Sequence, residues 1–269
     1  MTDLATPDLR KAAVITGASD GIGAALARNF AAKGHLVALV ARRKPLLEKL
    51  AADIAAAGAA HKPLVIELDL AAPGAAERLA GALRDAGASV EYLVNNAGFG
   101  LMGEIAELDA AEQVAMIDLN VRALTELTLR FLPEIVATKG GVLNVASIAS
   151  YMPGPGMGVY YASKAYVRSF SEALAQELKG AGVKVSCLCP GPVTTGFQAR
   201  AGFALSGSMS AMKPALVDAE EVARQAYDGL MANRRVVIPG WVNKLLVHAL
   251  AVTPNALILP TLAFAQKRR

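Results

Sequence analysis

The chain has 269 residues, of which 54% are hydrophobic and 19% charged, with 24 Gly and 13 Pro, a composition that excludes disorder, collagen and coiled coil. At this length folding buries about three quarters of the surface that the unfolded chain exposes, so the core needs neither disulfides nor metals. The 27 basic and 23 acidic residues leave a net charge of +4 that is scattered apart from Arg42-Arg43-Lys44, Arg234-Arg235 and Lys267-Arg268-Arg269. No finger spacing or recognition helix accompanies it, so solvated surface charge is expected and nucleic-acid binding is not.

The cysteines, Cys187 and Cys189, stand two apart, a poor spacing for a bridge within a strand, which argues against a disulfide-built secreted fold. The opening MTDLATPDLRKAAVITG carries early acids and no apolar h-region, so it does not read as a signal peptide and a cytoplasmic chain is expected.

Short β-rich apolar runs alternate with alanine-rich helical stretches. Residues 12–16 read as a buried strand, followed by a glycine-rich turn and an amphipathic helix ending at Gly34. Strand 36–40 leads to helix 46–57, closed by Gly58, and strand 64–68 leads to helix 75–86 before Gly87. After strand 92–95, Asp109 and Glu112 form a capping box that opens one long helix to about residue 138. Strand 142–146, helix 159–179 and strand 184–189 follow; Asp218 with Glu221 opens a helix to about residue 233, and 236–238 is the last strand.

Strands without polar alternation, separated by helices, specify an α/β fold: a doubly wound, mostly parallel seven-stranded sheet with helices on both faces. No linker or repeat divides the chain, so one domain spanning 1–269 is expected.

Two segments break the rhythm. Residues 193–214 mix Gly and Ser with Phe197, Phe203, Leu205, Met209 and Met212, which reads as a lid over a binding site. The apolar tail, about 241–269, contains an uncharged stretch at 245–266 that is interrupted by His248, Pro254, Asn255 and Pro260. The prolines and polar groups weigh against a membrane span. A subunit contact or pocket wall is favoured over attachment to a membrane surface.

The first strand runs into Thr16-Gly17-Ala18-Ser19-Asp20-Gly21-Ile22-Gly23 and a helix. Glycines here permit a tight turn and close backbone approach to a phosphate, and the helix N-terminus offers free N–H groups to a pyrophosphate. NAD binders place an acid at the end of the second strand to hold the ribose 2′-hydroxyl. This chain has Arg42-Arg43-Lys44 there. A guanidinium binds a 2′-phosphate that an acid would repel, so NADP is expected, with Arg42 as the leading contact and Ser19 and Arg43 as helpers. Asp69 follows the third strand, either to accept from an adenine amino group or as a turn residue. Asn95-Asn96-Ala97-Gly98 ends the fourth strand beside the cleft, each asparagine touching the cofactor or bracing the strands.

Tyr160 and Lys164 stand at i and i+4 on a predicted helix and share a face. A buried cation about 4–5 Å from a phenol would stabilise the phenolate by roughly 3–4 kcal/mol, bringing the tyrosine towards about 7–8, where general acid–base catalysis works well. Ser147 lies at the carboxyl end of the fifth strand, where open α/β sheets bind ligands, and its hydroxyl can hold a substrate carbonyl. Asn120, a poor helix-interior residue, marks a kink or a bound water inside the long helix. His35, His61 and His248 are isolated, and no metal is expected.

TGASDGIG, NNAG, Asn120, Ser147, the run Tyr160-Tyr161-Ala162-Ser163-Lys164 and Pro190-Gly191 followed by Thr194 or Thr195 recur in the order of the short-chain dehydrogenase/reductase family. The sequence resembles the main, roughly 250-residue branch over about residues 10–240, nearest to its NADP-dependent 3-oxoacyl and hydroxysteroid reductases. The resemblance implies a Rossmann fold. It gives Tyr160 the proton transfer, Lys164 the tuning of that tyrosine and the hold on the nicotinamide ribose, Ser147 the orientation of the carbonyl and Asn120 a relay water. Pro190, Gly191, Val193 and Thr194 would border the nicotinamide amide. Tyr161 lies at i and i+3 to Lys164, and the family spacing selects Tyr160. Asp20 departs from the Ser, Arg or Lys common in NADP members. A homodimer or homotetramer is implied as well.

The expected activity is NADP-dependent interconversion of a carbonyl and a secondary alcohol, on an apolar substrate such as a 3-oxoacyl chain, a steroid-like ketone or a xenobiotic carbonyl. The lid composition, with Met152 and Met157 around Pro153-Gly154-Pro155-Gly156, carries the substrate part. The alternative is a catalytically silent NADP-binding regulator or scaffold, which would have no need of Ser147, Tyr160 and Lys164 together.

Overall fold

The computed structural model describes residues 9–193 and 215–267. Strands β1 (Arg10–Thr16), β2 (Leu36–Ala41), β3 (Leu64–Glu67), β4 (Ala88–Asn95), β5 (Gly141–Val145), β6 (Lys184–Leu188) and β7 (Val236–Val237) form one sheet in the order β3-β2-β1-β4-β5-β6-β7. Every neighbouring pair is parallel. Such strands are covered on both faces, which is why β2 and β5 are buried at every position.

Helices α1 (Gly21–Ala32), α2 (Lys44–Ala56) and α7 (Ala219–Met231) cover one face through Leu26, Phe30, Leu47, Ile54, Val222 and Leu230. Helices α3 (Ala75–Asp85), α5 (Leu124–Thr138) and α6 (Gly158–Glu177) cover the other through Leu79, Leu83, Phe131, Ile135 and Leu174. The two layers are built from apolar side chains at helical spacing on each inward stripe.

The structure departs from the sequence reading in three places. The expected long helix after Asp109 is two helices, α4 (Ala110–Ile117) and α5, joined by a π-helical turn over Asp118–Ala123 that contains Asn120. Asp109 does cap α4, its carboxylate accepting from Glu112 N at 2.8 Å. Asp218 instead caps at Glu220 N, 2.9 Å away. Glu221 is drawn off by Arg224 and Gln225, so no reciprocal box forms. The apolar tail is a pair of helices, α8 (Trp241–Val252) and α9 (Asn255–Lys267), separated at Thr253-Pro254. Proline disfavours the helical conformation in the residue before it, and α8 ends there. Among the described residues no helix is long and apolar enough to cross a membrane.

Chain order reverses between β1 and β4, the place where open α/β sheets leave a ligand crevice at their carboxyl ends. The register pairs Asn95 with Asn144 and Val145 with Leu188. The segments that leave the sheet just beyond, Asn96-Ala97-Gly98, Ser147 and Pro190-Gly191, therefore emerge side by side.

Candidate active site

The turn after β1 is shaped by glycine. Gly17 and Gly21 hold φ of +65° and +54°, a region that side chains other than glycine avoid. A Cβ on Gly23 would lie 2.3 Å from the Gly17 carbonyl oxygen, so α1 can approach the turn only because that atom is missing. Asp20 caps α1, its carboxylate accepting from Gly21 N at 2.7 Å, and Ile22 packs onto the core beneath.

Thr16, which the sequence reading passed over, organises the turn from below. Its buried hydroxyl donates to Val94 O at 3.0 Å and accepts from Asn96 N and Ala97 N at 2.9 and 3.0 Å. Asn96 returns its side-chain amide to Thr16 O at 2.8 Å and Gly17 O at 3.3 Å. Asn95 donates to Thr128 and Asn144. Both asparagines are braces in this structure. A hydroxyl at the last position of a strand that enters a glycine-rich turn was the signal available in the sequence.

Beyond β2 the two arginines separate. Arg43 donates to Ser19 Oγ from Nε at 3.2 Å and from Nη2 at 2.9 Å, with Asp20 Oδ2 at 4.0 Å from Nη2. Arg42 is exposed and makes no ion pair among the described residues. The structure thus sets Arg43, rather than Arg42, against the turn. Asp69 accepts from Ala71 N at 3.0 Å in a turn after β3, with its carboxylate exposed.

On α6 Tyr160 and Lys164 share the inner face. The Ser147 hydroxyl faces the Tyr160 phenol and favours its ionised form, and Ser147 Oγ accepts from Ala149 N at 3.1 Å. Tyr161 points elsewhere: its ring lies over Gly154, where a Cβ would come within 2.4 Å of it. Tyr160, and not Tyr161, thus faces Ser147. Lys164 is buried and donates to Val145 O at 2.8 Å.

The expected acidified phenol is not found. Burial pushes the Tyr160 phenol up to about 12 against an opposing contribution from the Ser147 hydrogen bond. Burial also pulls Lys164 down to about 8. The reason is geometric: the ammonium is anchored on β5 and sits 5.9 Å from the centre of the tyrosine ring, so desolvation of the phenolate prevails.

Asn120 is buried at the π-helical turn, a feature common at functional sites. Its Oδ1 accepts from Phe99 N at 3.1 Å and its Nδ2 donates to Phe99 O at 2.9 Å and to Ser163 Oγ at 3.1 Å. Both side-chain donors are engaged, and the side chain fixes the loop after β4. Gly98 lies above it, with a Cβ position 2.8 Å from Asn120 Oδ1 and 3.5 Å from Lys164 Nζ. Pro190 O accepts from Ile148 N at 3.0 Å, which joins the Pro190-Gly191 turn to the Ser147 loop, and Val193 is buried beside it. Thr194 and the rest of the expected lid, 194–214, lie outside the described residues.

A sequence profile of the short chain dehydrogenases matches residues 11–203. A sulfoacetaldehyde reductase of Chromohalobacter salexigens is 36% identical over 222 residues, covering 79% of this chain and 85% of its own length. The structure of a 7β-hydroxysteroid dehydrogenase superposes with a TM-score of 0.83 at 28% identity, covering 95% of this chain and 97% of that one. A short-chain dehydrogenase from Sphingobium yanoikuyae in complex with NADPH gives 0.76 at 30% identity over 92% and 98% of the chains. One from Burkholderia phymatum in complex with NAD gives 0.77 at 26% over 90% and 93%. The chain belongs to the short-chain dehydrogenase/reductase family, oxidoreductases that act on CH–OH and C=O groups with a nicotinamide dinucleotide.

Proposed function

We propose that the chain is an NADP-dependent carbonyl reductase and secondary-alcohol dehydrogenase. The observation that carries this reading is the placement of Ser147 beside the Tyr160 phenol at the carboxyl edge of the sheet, with Lys164 on the same helix face, its Nζ 5.9 Å from the centre of the tyrosine ring. The residues fit the dinucleotide: the missing side chains of Gly17 and Gly23 let the turn close tightly against Asn96 and Ala97 at the N-terminus of a 12-residue helix. Ser19, Arg43 and Arg42 would hold the 2′-phosphate, Asp69 the adenine, and Ala97, Gly98, Pro190, Gly191, Val193 and Thr194 would line the nicotinamide half. When bound, NADPH supplies the hydride and NADP takes it up.

In the reducing direction the Ser147 hydroxyl donates to the substrate carbonyl oxygen and orients it. Tyr160 gives its phenolic proton to that oxygen as the alcohol forms, and Lys164 lies beside the resulting phenolate. A phenol pushed up to about 12 keeps its proton at neutral pH and so is present in the donor form. Asn120 positions Phe99 and Ser163 around the pair. Met157 is buried and Met152 half-buried at the mouth of α6. With the apolar residues of the 193–214 segment they support an apolar or long-chain ketone as substrate, and family membership supports a homo-oligomer.

Fluorescence titration with NADPH and NADH tests the reading. Tight binding of NADPH over NADH, followed by NADPH consumption in a panel of apolar ketones, is the expected outcome. Binding of neither nucleotide would reject it.

A further inference from the structure

We infer that Asn243 is a positioning residue for the nicotinamide half of the site, an inference that rests on the dinucleotide-binding reading above. Asn243 is the one fully buried polar side chain among the described residues of α8 and α9, at 0% exposure. It lies beyond residue 203, where the family match ends.

Its geometry is a three-way clamp. Nδ2 donates to Pro239 O at 2.9 Å and to Ala215 O at 3.0 Å, tying the approach to α8 to the segment that precedes α7. The amide lies directly on Gly191: a Cβ there would fall 2.3 Å from Oδ1 and 2.5 Å from both Cγ and Nδ2. Gly191 and Asn243 therefore occupy one space between them, and the missing side chain at 191 is what admits the amide.

Two further contacts close the unit. Val217 N donates to Pro192 O at 3.4 Å. Gly240 holds φ of +82°, and a Cβ on it would meet Val217 Cγ2 at 2.9 Å and Asn243 Nδ2 at 3.1 Å. From Gly191 the path to chemistry is short, since Pro190 O accepts from Ile148 N, the residue after Ser147.

The choice of side chain follows from the chemistry. Two carbonyls from separate segments call for two N–H donors on one planar group, in a space bounded by Gly191. Aspartate has no donor and would set a negative charge against both carbonyls; serine has one donor; leucine has none. Among the described residues Asn243 Oδ1 is buried without a hydrogen-bond partner.

The test separates the two halves of the ligand. Binding of NADPH and of adenosine 2′,5′-bisphosphate, which carries only the adenine half, is measured for the wild type, Asn243→Ala, Asn243→Ser, Gly191→Ala and the Gly191→Ala/Asn243→Ala double variant, with thermal midpoints alongside. NADPH affinity is expected to fall about tenfold in Asn243→Ala, the worth of roughly one hydrogen bond, with the bisphosphate unchanged. Asn243→Ser keeps one donor and is expected between the wild type and Asn243→Ala; it is the readout if the alanine variant does not fold. The double variant is expected to lose less than the two single losses combined, because the new Cβ enters space that the amide has left. Equal weakening of both ligands, no weakening of NADPH, or simple additivity in the double variant would overturn the inference. A wild type that binds neither ligand would instead reject the dinucleotide reading itself.

Discussion

Lys164 Nζ donates to the Val145 carbonyl at 2.8 Å and stands 5.9 Å from the centre of the Tyr160 ring, so strand β5 and not the phenol holds the ammonium. Tyr160, pushed up to about 12, is a proton donor in wait at neutral pH. Ketone reduction should therefore run near neutrality, whereas alcohol oxidation needs the proton removed and should accelerate from about pH 7 to about pH 10. Rate profiles in both directions check this, and an oxidation rate that is flat over that range would contradict it. Tyr160→Phe should lower kcat about 10²- to 10⁴-fold.

The buried lysine predicts a stability signature of definite sign. Its pKa falls from the ordinary 10.5 to about 8 on folding. Between those values the unfolded chain binds more protons than the folded one, so this group makes stability rise with pH across the window, by roughly 3 kcal/mol in full. Tyr160 acts in the opposite sense: its raised value keeps its contribution intact below the ordinary 10.0 and loses it as pH climbs towards about 12. Urea unfolding of the wild type and Lys164→Met at pH 8, 9 and 10 should show the rise in the wild type alone. Parallel curves for the two proteins would contradict the assignment.

Arg43, bonded twice to Ser19, should govern cofactor choice more than Arg42 does. Arg43→Ala is expected to weaken NADPH about 10- to 100-fold, in the range of a charge-assisted pair, with NADH little changed. Arg42→Ala should have the smaller effect. Isothermal titration of both variants with both nucleotides decides it, and the reverse ranking would restore Arg42 as the leading contact.

Asn120→Ala should destabilise the chain by about 2–4 kcal/mol, because it removes together the side-chain bonds to Phe99 N, Phe99 O and Ser163 Oγ. Urea unfolding measures this directly. A loss under about 0.5 kcal/mol would mean that the loop after β4 finds other partners.

The architecture was legible because its signals are local. Unalternating apolar runs such as 36–40 announce strands buried on both faces, and Gly58 and Gly87 end helices through backbone freedom alone, at φ of +82° and +66°. Residues 17–23 and the four-residue step from Tyr160 to Lys164 are likewise short-range patterns that a helix or a turn converts directly into geometry. What depended on burial and on partners distant in the chain was decided by tertiary structure. Helix periodicity brought Lys164 to the tyrosine's face, but the carbonyl of Val145, 19 positions away, captured its ammonium, and desolvation reversed the expected shift of the phenol. Arg42 and Arg43 are equivalent by charge and differ only in which one reaches Ser19, 24 residues before Arg43. Thr16 opens the glycine-rich motif without showing what it bonds to, and Asn243 belongs to no motif. Their roles exist only because the fold sets Thr16 against Val94 and Asn96, and Asn243 against a glycine whose missing side chain makes room for it.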